Sequence, residues 1–293
     1  MKIIDAHIHM LFREHFEALC KASGHTSKLD DLMKEFERLG ILGAIVMGSS
    51  NRNDAASLIQ PGLFDLNGAV DLAHYNYPRQ VSFCLGVNPQ ATVVHPAKEV
   101  IANFRKAAAH PNCVGLKIYP GYNYQYPNDP IYHPYFEMAE DLKLPVAIHT
   151  GDTATHTGKL RYSHPLAVDD VAVEFPRVNF VMCHLGNPWF NDAAEVVKKN
   201  PNVFADLSGL AVGMPDVAGF VNGYASYLDT LRTWLCYLDD YSKLMYGSDW
   251  PLVNLERYIS ICGEIIPPAH HEAFFGGNAL RIYPKLKAAI GLE

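Results

Sequence analysis

The chain has 293 residues, 49% of them hydrophobic and 19% charged, an ordinary globular composition and long enough to bury a sizeable core. A formal net charge of −7 argues against a nucleic-acid or anionic-membrane surface as the working partner. No apolar stretch approaches the roughly 18 residues that a membrane span needs, and no basic-then-apolar leader opens the sequence, so a cytoplasmic protein is expected.

Six cysteines (Cys20, Cys84, Cys113, Cys183, Cys236 and Cys262) are widely scattered without a Cys-x-x-Cys pair. They read as reduced core residues. Fourteen histidines are many for one chain, which raises the expectation of metal or acid–base chemistry without locating it.

The first element is a strand, Ile3-Ile4-Asp5-Ala6-His7-Ile8-His9. Residues i and i+2 of a strand project from one face, roughly 6–7 Å apart. His7 and His9 could therefore meet one ion together, while Ile8 points into the opposite layer. Asp5 reads as a supporting or packing residue rather than a ligand. A helix from about Leu29 to Leu39, ended by Gly40, leads to a doubly buried strand, Ile41 to Met47. The alternation then continues. A helix near Leu66–Tyr75 precedes a strand Val81–Val87, and a helix near Ala97–Ala109 a strand Cys113–Tyr119. Helix Pro134–Leu142 precedes strand Val146–His149, and helix Pro165–Glu174 strand Val178–His184. Helix Asn191–Lys199 precedes strand Val203–Leu207, and a long helical region, Ala218–Tyr237, the last strand, Leu244–Ser248.

Eight strands alternating with helices, about 35 residues per unit, are the size of a βα repeat that closes a (β/α)8 barrel. The fold expected is therefore α/β, a TIM barrel in one domain over residues 1–293. The tail from about Leu255 supplies a closing helix and a C-terminal helical segment, in which Asn278 reads as an N-cap.

Two loops are longer than the fold requires. Pro120 to Pro130 is rich in tyrosine, and Gly151 to Ser163 carries Asp152, His156, Lys159 and Arg161. Both emerge at the C-terminal rim, where barrel enzymes place their sites. Three further apolar runs end in a candidate ligand: Val146-Ala147-Ile148-His149, Phe180-Val181-Met182-Cys183-His184 and Leu244-Met245-Tyr246-Gly247-Ser248-Asp249. In a parallel barrel all strand ends reach one mouth, so His7, His9, His149, His184 and Asp249 should converge there.

This combination resembles the amidohydrolase superfamily, and closely its amidohydrolase-2 branch. Asp5-Ala6-His7-Ile8-His9 matches the first-strand motif and Ala147-Ile148-His149-Thr150-Gly151 the fifth. Met182-Cys183-His184-Leu185-Gly186 matches the sixth, Ala205-Asp206-Leu207-Ser208-Gly209 the seventh, and Tyr246-Gly247-Ser248-Asp249-Trp250-Pro251 the eighth. Gly277-Asn278-Ala279-Leu280-Arg281 is similar to the C-terminal segment. The chain opens on the first barrel strand, so the β-sandwich of many larger relatives is expected to be absent.

The resemblance implies that His7, His9, His149 and Asp249 bind one divalent metal, zinc first and manganese second. His184 then lies beside it, polarising the substrate or holding a second ion. Related TatD nucleases carry a glutamate on a middle strand, where Gly115-Leu116-Lys117-Ile118-Tyr119-Pro120 offers a lysine. Lys117 could be carboxylated and bridge two metals, hold a substrate anion, or support a ligand; the one-metal arrangement is favoured.

Zinc brings the pKa of its water from 15.7 to roughly 7. Asp249 could take that proton as general base and deliver it as acid, while His184 stabilises an oxyanion. The activity expected is hydrolysis of an ester, lactone or amide-like bond in a small molecule. The alternative is a metal-dependent non-oxidative decarboxylase of an unsaturated or aromatic acid, and a non-catalytic ligand-binding barrel is a third reading. Arg52, Tyr119, Tyr122 and Arg161 are the candidate substrate contacts, and a homodimer is favoured by base rate alone.

Overall fold

Small and β-branched apolar residues dominate the runs at Ile41–Met47, Cys113–Ile118 and Val146–Ile148, and each run forms a strand buried along nearly its whole length. In the computed structural model, which describes residues 2–10, 14–48, 63–64, 70–71 and 77–292, eight such strands lie parallel in chain order. They are β1 (Ile3–Ile8), β2 (Ile41–Met47), β3 (Val81–Gly86), β4 (Cys113–Ile118), β5 (Val146–Ile148), β6 (Phe180–Met182), β7 (Val203–Asp206) and β8 (Leu244–Met245). The residues after β8 return to β1. Ala6 donates to the Tyr246 carbonyl at 3.0 Å, His9 to that of Trp250 at 2.7 Å, and Asp249 to that of His7 at 2.8 Å. With helices between the strands, this is a TIM barrel.

The helix Leu29–Leu39 shows how the sequence sets the outer layer. Leu32 and Phe36, one turn apart, are its buried residues. Gly40, at φ 73°, ends it in the left-handed conformation, and its N–H donates back to the Phe36 and Glu37 carbonyls. At the other end of the chain, Ala279, Ile282, Tyr283 and Leu286 pack with Ile4, Ala6, Val114, Ala147 and Val181. Tyr283 approaches Gly115, and Ile290 approaches Gly43, near the starts of β4 and β2. The C-terminal helices thus cover the end of the barrel opposite the strand C-termini.

Several expectations are corrected. Most of the helix expected near Leu66–Tyr75 lies outside the described residues, but Val70–Asp71 is a strand, paired antiparallel with Leu63–Phe64. Strands β6 and β8 stop short, at Met182 and Met245, because the chain turns out of the sheet before it reaches His184 and Asp249. The long helical region is two helices, Val217–Gly223 and Ala225–Leu238. Asn278 is not an N-cap. It has helical φ and ψ inside a continuous turn that begins with the π-helical segment Ala273–Gly277. Its side-chain amide donates to the Tyr241 and Leu244 carbonyls at 2.9 and 2.7 Å, anchoring the tail to the start of β8. All six cysteines are free; five are buried, but Cys236 is exposed on its helix and is no core residue. Among the described residues, no helix is long and apolar enough to cross a membrane.

Candidate metal and acid–base site

The C-terminal ends of β1 and β8 bring three side chains to one point. His7 is fully buried on β1, His9 follows directly after that strand, and Asp249 sits four residues beyond β8 at φ 67°. The two Nε2 atoms are 3.2 Å apart. Asp249 Oδ1 lies 3.1 Å from His9 Nε2 and 3.5 Å from His7 Nε2. Tetrahedral zinc with nitrogen ligands at 2.0–2.1 Å has ligand–ligand edges of about 3.3 Å, so these separations suit one small ion. That buried Asp249 oxygen also has no partner in hydrogen-bond geometry, although two ring nitrogens crowd it. A donor set of two imidazoles and a carboxylate, with an oxygen left unsatisfied at their meeting point, fits a divalent metal.

Hydrogen bonds on the far side of the rings fix which atoms face that point. His7 Nδ1 lies 3.0 Å from Asp206 Oδ2, so Nδ1 carries the proton and Nε2 keeps its lone pair. Asp206, fully buried at the end of β7, also accepts from the His184 backbone N–H at 2.9 Å and that of Ser208 at 3.1 Å. The Ser208 hydroxyl donates to it as well. Burial opposes the charge on Asp206, but the charge and hydrogen bond of His7 hold its carboxyl well below the usual carboxylate range. Burial is also the main reason that the His7 imidazole is pushed down to about 4.

His149 and His184 form a second pair. His149 Nε2 donates to the Asp152 carbonyl at 2.9 Å, leaving Nδ1 to face His184 Nε2 at 3.3 Å. His184 Nδ1 in turn donates to the Ser208 carbonyl at 3.1 Å. Its ring centroid lies 4.9 Å from that of His7 and 5.0 Å from that of His149, so the two groups adjoin. Burial is the first cause of the lowered His149 pKa, with His184 adding to it. Of the residues expected as ligands, His149 therefore stands with His184 rather than within the tight His7–His9–Asp249 group. His184 and Asp249 both occupy left-handed backbone, at φ 62° and 67°, an outlier that clusters at functional sites.

For Asp249, burial opposes the charge, but the close approach of His9 and the nearby His184 and His7 hold the carboxyl well below the usual range. It is placed as an ionised carboxylate.

The remaining candidates divide. Lys117, fully buried on β4, reaches Cys183 Sγ at 2.7 Å. Tyr119 stacks on His149, with centroids 6.0 Å apart and planes at 25°, and Tyr122 meets the same ring edge-on at 5.1 Å. Tyr122 is anchored by its hydroxyl, which accepts from the Ala154 N–H at 2.8 Å. Arg161 is not brought to the cluster: it is exposed and lies against the Tyr162 ring and hydroxyl. Arg52 lies outside the described residues. Asp5 is buried at the β1–β8 seam, accepting from the His7 and Ser248 N–H groups at 3.2 and 2.8 Å. Burial foremost raises its carboxyl to about 7.

Sequence reasoning missed the role of Asp206 and Ser208. The signal was available, since Val203-Phe204-Ala205-Asp206 is one more apolar run ending in a polar residue, as at His149 and Asp249.

The family model for Amidohydro_2, described as amidohydrolase, matches residues 4–285. No curated protein matches the sequence. Solved structures share the fold at low identity. An uncharacterized TIM-barrel protein from Bordetella bronchiseptica superposes with a TM-score of 0.71 at 18% identity, covering 98% of this chain and 99% of that one. A probable 2-pyrone-4,6-dicarboxylic acid hydrolase from Acinetobacter baumannii gives 0.61 at 16% identity, covering 97% and 100%. The 5-carboxyvanillate decarboxylase from Sphingomonas paucimobilis gives 0.58 at 15% identity, covering 97% and 99%.

Proposed function

The chain belongs to the amidohydrolase family matched over residues 4–285, whose members are metal-dependent hydrolases or decarboxylases, and from that premise we propose that it is a metal-dependent hydrolase of a small molecule. The bond attacked is an ester, lactone or amide-like bond. The observation that carries this reading is the meeting of His7, His9 and Asp249 around one point with an unsatisfied Asp249 oxygen. These residues would hold the ion, with His149 beside them; zinc suits a nitrogen-rich set with one carboxylate, and manganese is the alternative. When bound, the ion supplies Lewis acidity, polarising a substrate oxygen and making water acidic enough to deprotonate near neutrality.

The chain's own groups do the rest. Asp249, held ionised, accepts a proton from the attacking water and passes it to the leaving group. His184 Nε2 faces His149 because its Nδ1–H is engaged by the Ser208 carbonyl, so the ring holds an oxygen that gains charge in the form that has also taken a proton at Nε2. Asp206 fixes the His7 ring and, through the His184 N–H, the turn that carries His184.

A second reading is a non-oxidative carboxy-lyase, in which Asp249 or His184 protonates carbon. The buried Lys117 beside the cluster favours it, since an acid substrate is the natural partner of a buried ammonium. Purified protein never exposed to chelator should contain about one equivalent of metal by elemental analysis. That protein is then screened against lactones, esters and aromatic acids, with proton release and evolved CO₂ recorded together. Proton release without CO₂ supports hydrolysis, CO₂ supports the second reading, and metal-free protein with full turnover ends both.

A further inference from the structure

Two donors at the end of β4 lack adequate acceptors. Lys117 is fully buried, and among the described residues no carboxylate lies within 4.0 Å of its Nζ. Its contact is Cys183 Sγ at 2.7 Å, and sulfur is a weak acceptor. A buried amine whose one hydrogen-bond partner is a sulfur is poorly satisfied. Tyr119, two residues on and 8% exposed, has a buried hydroxyl with no hydrogen-bond partner. An unsatisfied buried donor is likewise a penalty that native structures rarely carry without a purpose.

The two belong together. Lys117 Nζ lies 4.9 Å from the centroid of the Tyr119 ring. Both also adjoin the candidate site. Tyr119 stacks on His149, and Cys183, the partner of Lys117, lies with His7 and Asp206 in a group whose polar atoms are all within 4.8 Å of one another. Of the two arginines considered for substrate binding, Arg161 is out on the rim and Arg52 lies outside the described residues.

We propose that Lys117 and Tyr119 form a subsite for an anionic oxygen, and that the substrate is a small carboxylate whose acid group, or an oxygen that becomes anionic, is held there by the ammonium and the phenol. The proposal rests on the functional reading above only in placing the reacting centre next to this subsite. It takes Lys117 as a substrate-binding cation, not as a metal bridge. Tyr119 contributes a neutral donor.

The test is calorimetric titration of metal-replete protein with benzoate, and with benzamide as its uncharged counterpart. Wild type should bind benzoate at least about tenfold more tightly than benzamide, since only the carboxylate gains a charge-assisted bond. Tyr119→Phe, which removes one oxygen from a packed ring, should weaken benzoate roughly tenfold or more while keeping metal content and melting temperature. Lys117→Met should erase the preference for the anion. Benzoate binding at wild-type strength in both variants overturns the proposal, as does a wild type without preference for the anion. Loss of metal from Lys117→Met with Tyr119→Phe unaffected also overturns it, by assigning the lysine to the ion. Should Lys117→Met not fold, Tyr119→Phe decides alone. A wild type that holds no metal yet keeps its benzoate preference supports the subsite while ending the metal reading.

Discussion

Asp206 Oδ2 lies 3.0 Å from His7 Nδ1, and both residues are fully buried. This pair couples the strand that ends in two candidate ligands to the strand on the far side of β8. The same carboxylate also receives the His184 N–H, so one buried charge organises both histidine groups.

Asp206→Asn should therefore disturb metal binding without removing a ligand. The amide can no longer fix the His7 tautomer, because it offers one acceptor atom and one donor group where two acceptors were needed. The expected loss is about 10–100-fold in metal affinity. Competition titration with a metallochromic indicator measures it. Unchanged affinity would mean that His7 is oriented by the Ser208 hydroxyl, 3.2 Å from Nδ1, and not by the acid.

Asp249→Asn separates two roles of that residue. If it is a ligand alone, the variant should lose activity through lost metal, and excess metal should restore most of it. As a proton carrier it should remain slower by roughly 10²–10⁴-fold after metal saturation, with substrate affinity changed far less. His149→Ala is the comparison, since any loss there should follow metal content. Near-wild-type turnover in metal-saturated Asp249→Asn would move the proton to His184.

Much of this arrangement is legible in the sequence because β-strands and helices announce themselves by period. Helix Leu29–Leu39 and strand Ile41–Met47 lie where the pattern and Gly40 put them. A parallel barrel brings the ends of β1 and the β8 segment together, which is why His7, His9 and Asp249 group from the sequence alone. What period cannot give is the partner of a side chain. The sequence groups His149 with those three, yet its Nε2 is taken by the Asp152 carbonyl and its Nδ1 faces His184. Asn278 looks like a cap because it precedes an apolar run, but its amide is engaged across the chain by Tyr241 and Leu244. Arg161 carries the right charge in a rim loop and still lies against the Tyr162 ring. Such outcomes are set by tertiary packing.

His25 gives a pH dependence outside the site. Its Nε2 accepts from the Leu255 N–H at 3.2 Å, at the start of the helix Leu255–Ile265, and only the neutral ring can do so. Burial foremost, with Arg38 adding, lowers its pKa below the ordinary imidazole value, against the opposing charge of Glu35. The unfolded chain then binds the proton at higher pH than the folded one does. The contribution to stability is full above about pH 6.5 and is lost as pH falls through the folded value. Urea unfolding of wild type at pH 7.5 and pH 5.5 should show a larger loss than in His25→Gln, by on the order of 1 kcal/mol. Equal losses in the two proteins would exclude His25 as the titrating group.

Gly209 tests whether the position of Asp249 matters as much as its charge. It follows β7 at φ 70°, a conformation that L side chains adopt at a cost of about 1–2 kcal/mol. A Cβ placed there would lie 2.8 Å from Asp249 Oδ2 and 3.4 Å from His184 Nδ1. The first separation is below any real contact, so the carboxylate must move. Gly209→Ala adds no charge and removes no ligand or proton carrier. A displacement approaching 1 Å at a reacting group can cost about 10²-fold in rate. Turnover in Gly209→Ala should thus fall roughly 10–100-fold, while the loss of stability stays near the backbone cost. Gly223→Ala is the control, because a Cβ there meets nothing within 4 Å, and its turnover should match wild type. Wild-type turnover in Gly209→Ala, with the expected loss of stability present, would show that Asp249 works from a range of positions and that its alignment with His7 and His9 is not what limits the reaction.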